Sequence, residues 1–294
     1  MAAHTKALTL ACALLALLAA PIPARTDAVP RRIVSLVPAA TEMLFAFGGG
    51  SQVAAVSSFD TYPPEARRLP TVGALLDPDV ERILSLKPDL VILYGSQIDL
   101  QQQLTRAGIS YYSYRHAGLP DVIATIRALG TRTGHDREAA ELARGIESGL
   151  NRIRQRVSGS SRPRTLLVFG RERLALRGIY ASGGVGFLDD MLRAAGGENV
   201  FADVRKESVE ATTELILGRR PDVILEIRAA NSALAAGDRE AERAVWRALP
   251  SIPAVRNNRV YFLTDDRLVI PGPRVVEGTR LMAAALHPDL FNPR

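Results

Sequence analysis

The sequence predicts an α/β fold of two lobes, each with a central parallel sheet, joined by one long α-helix. Three observations carry this. From Arg31 onward, short apolar runs alternate with helix-length amphipathic segments, the pattern of parallel strands with helices on their faces. The alternation is interrupted once, by a Pro-free amphipathic stretch from His135 to about Val157. A twelve-residue segment before the interruption also matches one after it.

Residues 1–28 read as an export signal. His4 and Lys6 precede the largely apolar run Ala7–Ala20, which is shorter than the roughly 20 residues a membrane span needs. Pro21 and Pro23 end the run, and cleavage is expected after Ala24 or Ala28, leaving the chain in the periplasm. The single cysteine, Cys12, lies inside this run. A mature chain without it has no disulfide, no zinc thiolate site and no cysteine nucleophile.

The first lobe is expected over residues 29–134. Its strands are Ile33–Leu36, Val53–Val56, Leu90–Leu93 and Tyr111–Tyr114, and its helices Thr41–Phe47, Pro78–Leu86 and Leu100–Ala107. The connecting helix is expected within 135–161. There Ala139, Leu142, Ile146, Leu150, Ile153 and Val157 recur at spacings of three and four. The second lobe, 162–294, has strands at Thr165–Phe169, Val223–Glu226 and Val260–Leu263, with helices at Phe187–Ala195 and Arg274–Leu286. ERILSLKPDLVI from Glu81 aligns with ELILGRRPDVIL from Glu214 at an offset of 133, each a helix, a Pro-Asp turn and a strand. Two open sheets facing each other form a cleft at their C-terminal strand ends, where ligands bind. A single helical connection predicts a small opening motion.

Composition narrows the function. Of 37 basic residues, 34 are Arg and 3 are Lys, and they are dispersed among 31 acids. Aromatics are 5% of the chain, with one Trp. Dispersed charge and few aromatics argue against nucleic acid as a partner. Catalytic chemistry is equally thin. The Ser182–Gly186 glycine loop lacks the Lys-Ser/Thr of a phosphate loop and reads as a turn. His4 is in the signal, His135 starts a helix, His287 precedes a terminal Pro, and only His116 has a cleft position. Asp189-Asp190 reads as a solvated first helical turn, and Asp265-Asp266 has no matching acid partner. No nucleophile–base pair or three-ligand zinc site results. A binding module is expected rather than an enzyme, with a chelatase-like activity as the remote alternative.

Five segments carry a resemblance: RIVSLVPAATEMLFAFG from Arg32, AVSSFDTYPPEA from Ala55, ERILSLKPDLVI, GGVGFLDDMLRAAGGENVF from Gly183, and ELILGRRPDVIL. Over Arg32 to Leu286 the chain resembles the periplasmic substrate-binding proteins of metal-chelate ABC importers. It is most similar to the vitamin B12 (cobalamin) binders of that class. The resemblance implies two Rossmann-like lobes around a shallow cleft, no cofactor of its own, and a monomer that serves an ABC permease and its ATPase. It implies that one exposed Glu per lobe, here Glu81 and Glu214, meets arginines on the permease. The repeat singles out the same pair.

The resemblance also implies ligand contacts. Phe59 falls where an aromatic touches the corrin, and Tyr62 beside it can donate a hydrogen bond. A second contact stretch falls on Asp266, Arg267, Leu268, Val269 and Ile270. Two Trp positions of the cobalamin binders fall on Leu75 and Ser208, which departs from their pattern, while Trp246 lies elsewhere, in an amphipathic segment that reads as packing. Haem is one alternative guest. Its usual Tyr or His after the Val72-Gly73 turn is replaced by Ala74-Leu75, leaving Tyr62, Tyr94 or His116 as substitutes. A ferric siderophore is another, because Arg115, Arg171 and Arg228 all follow predicted strands.

Overall fold

A computed structural model describes residues 29–232 and 236–291. The expected signal, with Cys12, lies outside the described residues. The first half contains β1 (Ile33–Ser35), α1 (Pro38–Ala46), β2 (Val53–Val56), α2 (Val80–Ser85), β3 (Leu90–Tyr94), α3 (Ile98–Arg106), β4 (Ser110–Tyr114) and α4 (Leu119–Thr133). Then comes α5, Asp136–Val157, the long helix anticipated from the apolar spacing. The second half contains β5 (Arg164–Gly170), β6 (Ile179–Ser182), α6 (Phe187–Ala194), β7 (Glu198–Asn199), β8 (Ser208–Ala211), α7 (Thr213–Arg219), β9 (Val223–Arg228), α8 (Ala236–Ala244), α9 (Pro253–Arg256), β10 (Val260–Thr264), α10 (Val275–Leu286) and α11 (Pro288–Phe291).

The first sheet has the order β2-β1-β3-β4 and is parallel throughout. The second has the order β10-β9-β5-β6-β8, with β7 beside β5. It is parallel across β10, β9, β5 and β7, but β6 and β8 run antiparallel. The central strands are parallel as expected, and the two antiparallel strands extend the sheet at one edge. The two extra strands are short and carry exposed residues such as Tyr180, so they lack the continuous apolar run of a buried parallel strand. Trp246 sits in a 3-10 turn after α8 rather than in a helix, and it is fully buried.

The Pro-Asp turns explain the repeat physically. The Asp89 carboxylate accepts the Arg31 and Arg32 amides at 2.8 and 2.9 Å, fixing the start of β1 against the start of β3. The Asp222 carboxylate accepts the Arg164 amide at 3.1 Å, fixing β5 against β9 in the same way. Each basic side chain then reaches back to the end of the preceding helix, Arg32 to the Leu86 carbonyl and Arg164 to that of Arg219. The amide-to-aspartate and side-chain-to-helix-end contacts recur in both halves.

Strand side chains alternate between cores. Leu90 and Ile92 of β3 enter one cluster, and Val91 and Leu93 another. Leu225 and Ile227 of β9 join Leu90 in the first cluster, together with Ala139, Ile146 and Leu150 of α5. One continuous core thus joins the inner faces of both sheets through the helix. Gly149 permits the close approach of α5 to α10, since a Cβ there would lie 2.7 Å from the Val276 side chain. The connection is therefore a packed wall, which favours small lobe motions.

Candidate ligand cleft

In a parallel sheet, the loops after the strands gather at one end. Here those loops are 57–62 after β2, 115–118 after β4, 171–178 after β5, and 265–274 after β10. Three adjoining cavities lie among them. An apolar one of about 460 Å³ is lined by His116 from the first half and Phe169, Phe187, Ile227 and Val269 from the second. Glu207 and Ser208 complete its rim. A second of about 320 Å³ shares Phe169, Ile227 and Val269 and reaches Arg171 and Arg228. A polar one of about 530 Å³ brings Thr61, Tyr62 and Arg67 opposite Asp265, Asp266, Arg267 and Arg274.

Cross-cleft contacts fix the polar end. Glu42, buried on α1, pairs in a two-pronged fashion with Arg274 from the other half. The Arg274 guanidinium lies 3.9 Å from the centroid of the Tyr62 ring. Asp266 accepts the Ala230 amide at 2.8 Å and the Thr61 hydroxyl at 3.4 Å. At the far end, the Asp190 carboxylate crosses over to accept the Leu119 amide at 2.8 Å, and His116 meets Phe187 edge-to-face at 5.2 Å. The glutamate on α1 is a lone charge in an apolar helix, PAATEMLFA, a signal that sequence reasoning passed over.

Most cleft arginines have acidic partners already. Arg171 is wholly buried against Glu226 at 2.9 Å and Glu242 at 2.8 Å. Arg228 pairs with Glu226 at 3.3 Å, and the Trp246 indole donates to the same glutamate at 2.5 Å. Arg267 pairs with Asp265 at 2.5 Å, which holds that carboxyl below its usual range. Of the five arginines lining the three cavities, only Arg67 lacks an acidic partner among the described residues, and it donates to the Thr61 carbonyl. Arg115 is exposed and bonded to Asp121. Arg171 borders the second cavity, but it is not solvated: it is the centre of a buried ion network. Asp189 corrects the expectation of a solvated turn. It is buried against Asn199 at 3.0 Å, not solvated, and burial raises its pKa.

The glycine loop proves structural. Side chains at Gly183 or Gly184 would be driven into the carbonyls of Lys206 and Ala202, and Asn199 donates to the Ser182 and Gly183 carbonyls. The first half of the loop packs on the backbone of residues 202–207, where the Gly183 and Gly184 amides donate to the Glu207 and Val204 carbonyls.

The anticipated contact residues divide. Tyr62, Asp266 and Arg267 share the polar cavity, and His116 and Val269 line the apolar one. Phe59, Leu75, Tyr94, Leu268 and Ile270 line none of the three. Phe59 stands 65% exposed and Leu75 38% exposed, while Leu268 is fully buried in the core and offers a guest no surface. The Leu75 loop is tethered to the end of β3. Gln97, itself buried, donates to the Leu75 carbonyl at 3.1 Å and accepts the Tyr94 amide at 2.9 Å. Glu81 and Glu214 are both exposed, each the second residue of its helix. Asp79 and Thr212 cap those helices by accepting the Arg82 and Leu215 amides. Because each helix runs antiparallel to the strand that follows, both glutamates stand at the cleft end of their sheets.

A model of the periplasmic binding protein family matches residues 33–267. The chain belongs to that family. Over 267 residues it is 32% identical to the uncharacterized ABC transporter substrate-binding lipoprotein YvrC of Bacillus subtilis, across 89% of this chain and 82% of that protein. It is 28% identical to a vitamin B12-binding protein of Pectobacterium carotovorum, across 88% and 89% of the two chains. Among solved structures, the periplasmic heme-binding protein RhuT of Roseiflexus sp. RS-1 superposes with a TM-score of 0.72 at 27% identity, across 88% of this chain and 99% of that one. Membership makes this a periplasmic binding protein of an ABC importer, in a family of transport proteins rather than enzymes. Among the described residues, no helix is long and apolar enough to cross a membrane.

Proposed function

We propose that this protein captures cobalamin or a related corrinoid in the cleft and delivers it to an ABC permease. The observation that carries the ligand class is the charge balance of the walls. Four of the five cleft arginines are neutralised by their own carboxylates. A strongly anionic ferric siderophore would have to break those pairs, at a cost of several kcal/mol for each buried one. A corrinoid presents uncharged amides around an apolar macrocycle. It suits an apolar chamber beside a polar one whose donors and acceptors are already oriented. Tyr62 supplies aromatic surface in the polar chamber, and Phe59 and Leu75 are exposed apolar side chains free to cover a guest. The likeness to vitamin B12-binding proteins supports the same reading.

A haem guest is the second reading, favoured by the likeness to RhuT. Against it, Ala74-Leu75 offers iron no ligand, and haem carboxylates would compete for arginines already paired. Glu81 and Glu214 are the proposed permease contacts. One acid at the same position of each repeat suits a partner with two similar halves. The test is calorimetry with cyanocobalamin, haemin and a ferric catecholate siderophore. One-to-one binding in which cyanocobalamin is strongest supports the reading; binding of the siderophore alone overturns it.

A further inference from the structure

Arginines dispersed along the sequence converge at one place apart from the cleft cavities. Where α4, α5 and α6 meet, a pocket of about 540 Å³ shares no lining residue with those three cavities. Arg154 lines it from the last turn of α5, Arg162 from the connection to β5, and Arg193 from the last turn of α6. Most cleft arginines are closely paired with carboxylates; here no such close pair forms among the described residues. Arg154 donates to the Asn151 side-chain oxygen at 2.8 Å and Arg162 to the Gly197 carbonyl at 3.1 Å, both uncharged acceptors. Arg193 lies 3.9 Å from Asp189, a buried carboxylate already bonded to Asn199. Among the described residues, Asp190 is the one acid in the lining, and its carboxylate accepts the Leu119 amide at 2.8 Å.

The charge balance decides what such a pocket can hold. Three guanidiniums face one carboxylate and the partial negative charge at the C-terminus of α5, which leaves an excess of about +1.5. Like charges gathered on one concave wall repel each other, and a multivalent anion between them reverses the sign of that energy. All three arginines are exposed, so most of their N–H donors remain open to a ligand.

We propose that this pocket binds a soluble diphosphate, held by Arg154, Arg162 and Arg193. A guanidinium presents a planar fork that matches phosphate oxygens in two-pronged, charge-assisted bonds. Three forks exceed what the oxygens of a single phosphate accept in pairs, which favours two linked phosphates. Ser160 adds a hydroxyl to the same wall. The site is separate from the cleft, and the proposal does not depend on which guest the cleft takes.

The test is calorimetry and thermal melting of the full-length protein in a phosphate-free chloride buffer, with pyrophosphate, inorganic phosphate and citrate as probes. The expected result is one-to-one binding of pyrophosphate, tighter than that of either other anion, weakened by added salt and accompanied by a raised melting temperature. Arg154→Gln with Arg193→Gln should weaken pyrophosphate roughly tenfold or more, with melting unchanged when no anion is present. Arg144→Gln with Arg152→Gln removes the same charge from α5 outside the pocket and should leave pyrophosphate affinity within about twofold. Equal losses in the two double variants would reduce the effect to general charge and overturn the site. Undiminished binding in the first double variant, tighter binding of citrate than of pyrophosphate, or no binding of millimolar pyrophosphate would each overturn it as well. None of these outcomes bears on the corrinoid reading, which the calorimetry with cyanocobalamin tests separately.

Discussion

At the scale of single residues, the cleft is governed by how buried charges are paired. Glu42 is almost inaccessible, and burial outweighs Arg274 in setting its pKa, which is raised. Removing Arg274 strands that carboxylate, so Arg274→Ala should lose about 3 kcal/mol at neutral pH in urea unfolding, and the loss should shrink as acid protonates Glu42. Asp60 is a second case. One oxygen accepts the Ser57 amide at 2.8 Å, the other has no hydrogen-bond partner among the described residues, and burial raises the pKa. A carboxyl whose folded pKa lies above its unfolded value holds its proton better when folded, so its contribution falls as pH rises from about 4 through the folded pKa. Asp60→Asn should remove that slope, and the variant should gain stability relative to the unmodified protein as pH is raised to neutrality. Equal pH profiles for the two proteins would contradict this. Glu42 was not legible as a site residue, because its partner crosses from the other half over 232 residues.

At the scale of elements, the sequence carried much of the architecture because local pattern and final environment agree. The Pro-Asp turns are the clearest case: each aspartate ties two neighbouring strands through backbone amides, so the residue type follows from the topology. Asp222→Ala should cost about 1 kcal/mol, and Asp89→Ala a similar amount, measured as shifts in the urea midpoint at unchanged slope. The long helix was legible from its apolar stripe. The short antiparallel strands β6 and β8 were not, and neither was α4, whose Leu119-Pro120 start follows an ambiguous loop. The glycine loop was legible as a turn, but its reason is tertiary, since the carbonyls of Ala202 and Lys206 occupy the side-chain space. Gly183→Ala should therefore destabilise by about 1–3 kcal/mol. A neutral outcome would mean that the loop has room to move.

At the scale of the whole molecule, two sheets share one core through α5, and their strand ends face each other across a cleft with an apolar and a polar end. The lining on the second half, Phe169, Phe187 and Ile227, could not be read from the chain, since in sequence these residues look like core. Glu81 and Glu214 lie outside the three cavities, so docking and capture should separate. Reversing both charges with Glu81→Lys and Glu214→Lys should abolish transport in a reconstituted uptake assay while leaving guest affinity within about twofold, well under the 1.4 kcal/mol of a tenfold change. Parallel loss of affinity would place them in the cleft or the core. The central claim is that one guest bridges both halves at the strand ends. Hydrogen exchange with and without cyanocobalamin tests it most directly. Slowed exchange is predicted together at 57–62, 115–118, 185–188 and 264–270, with α2 and α7 unchanged; protection confined to one half, or none at saturating ligand, would contradict it.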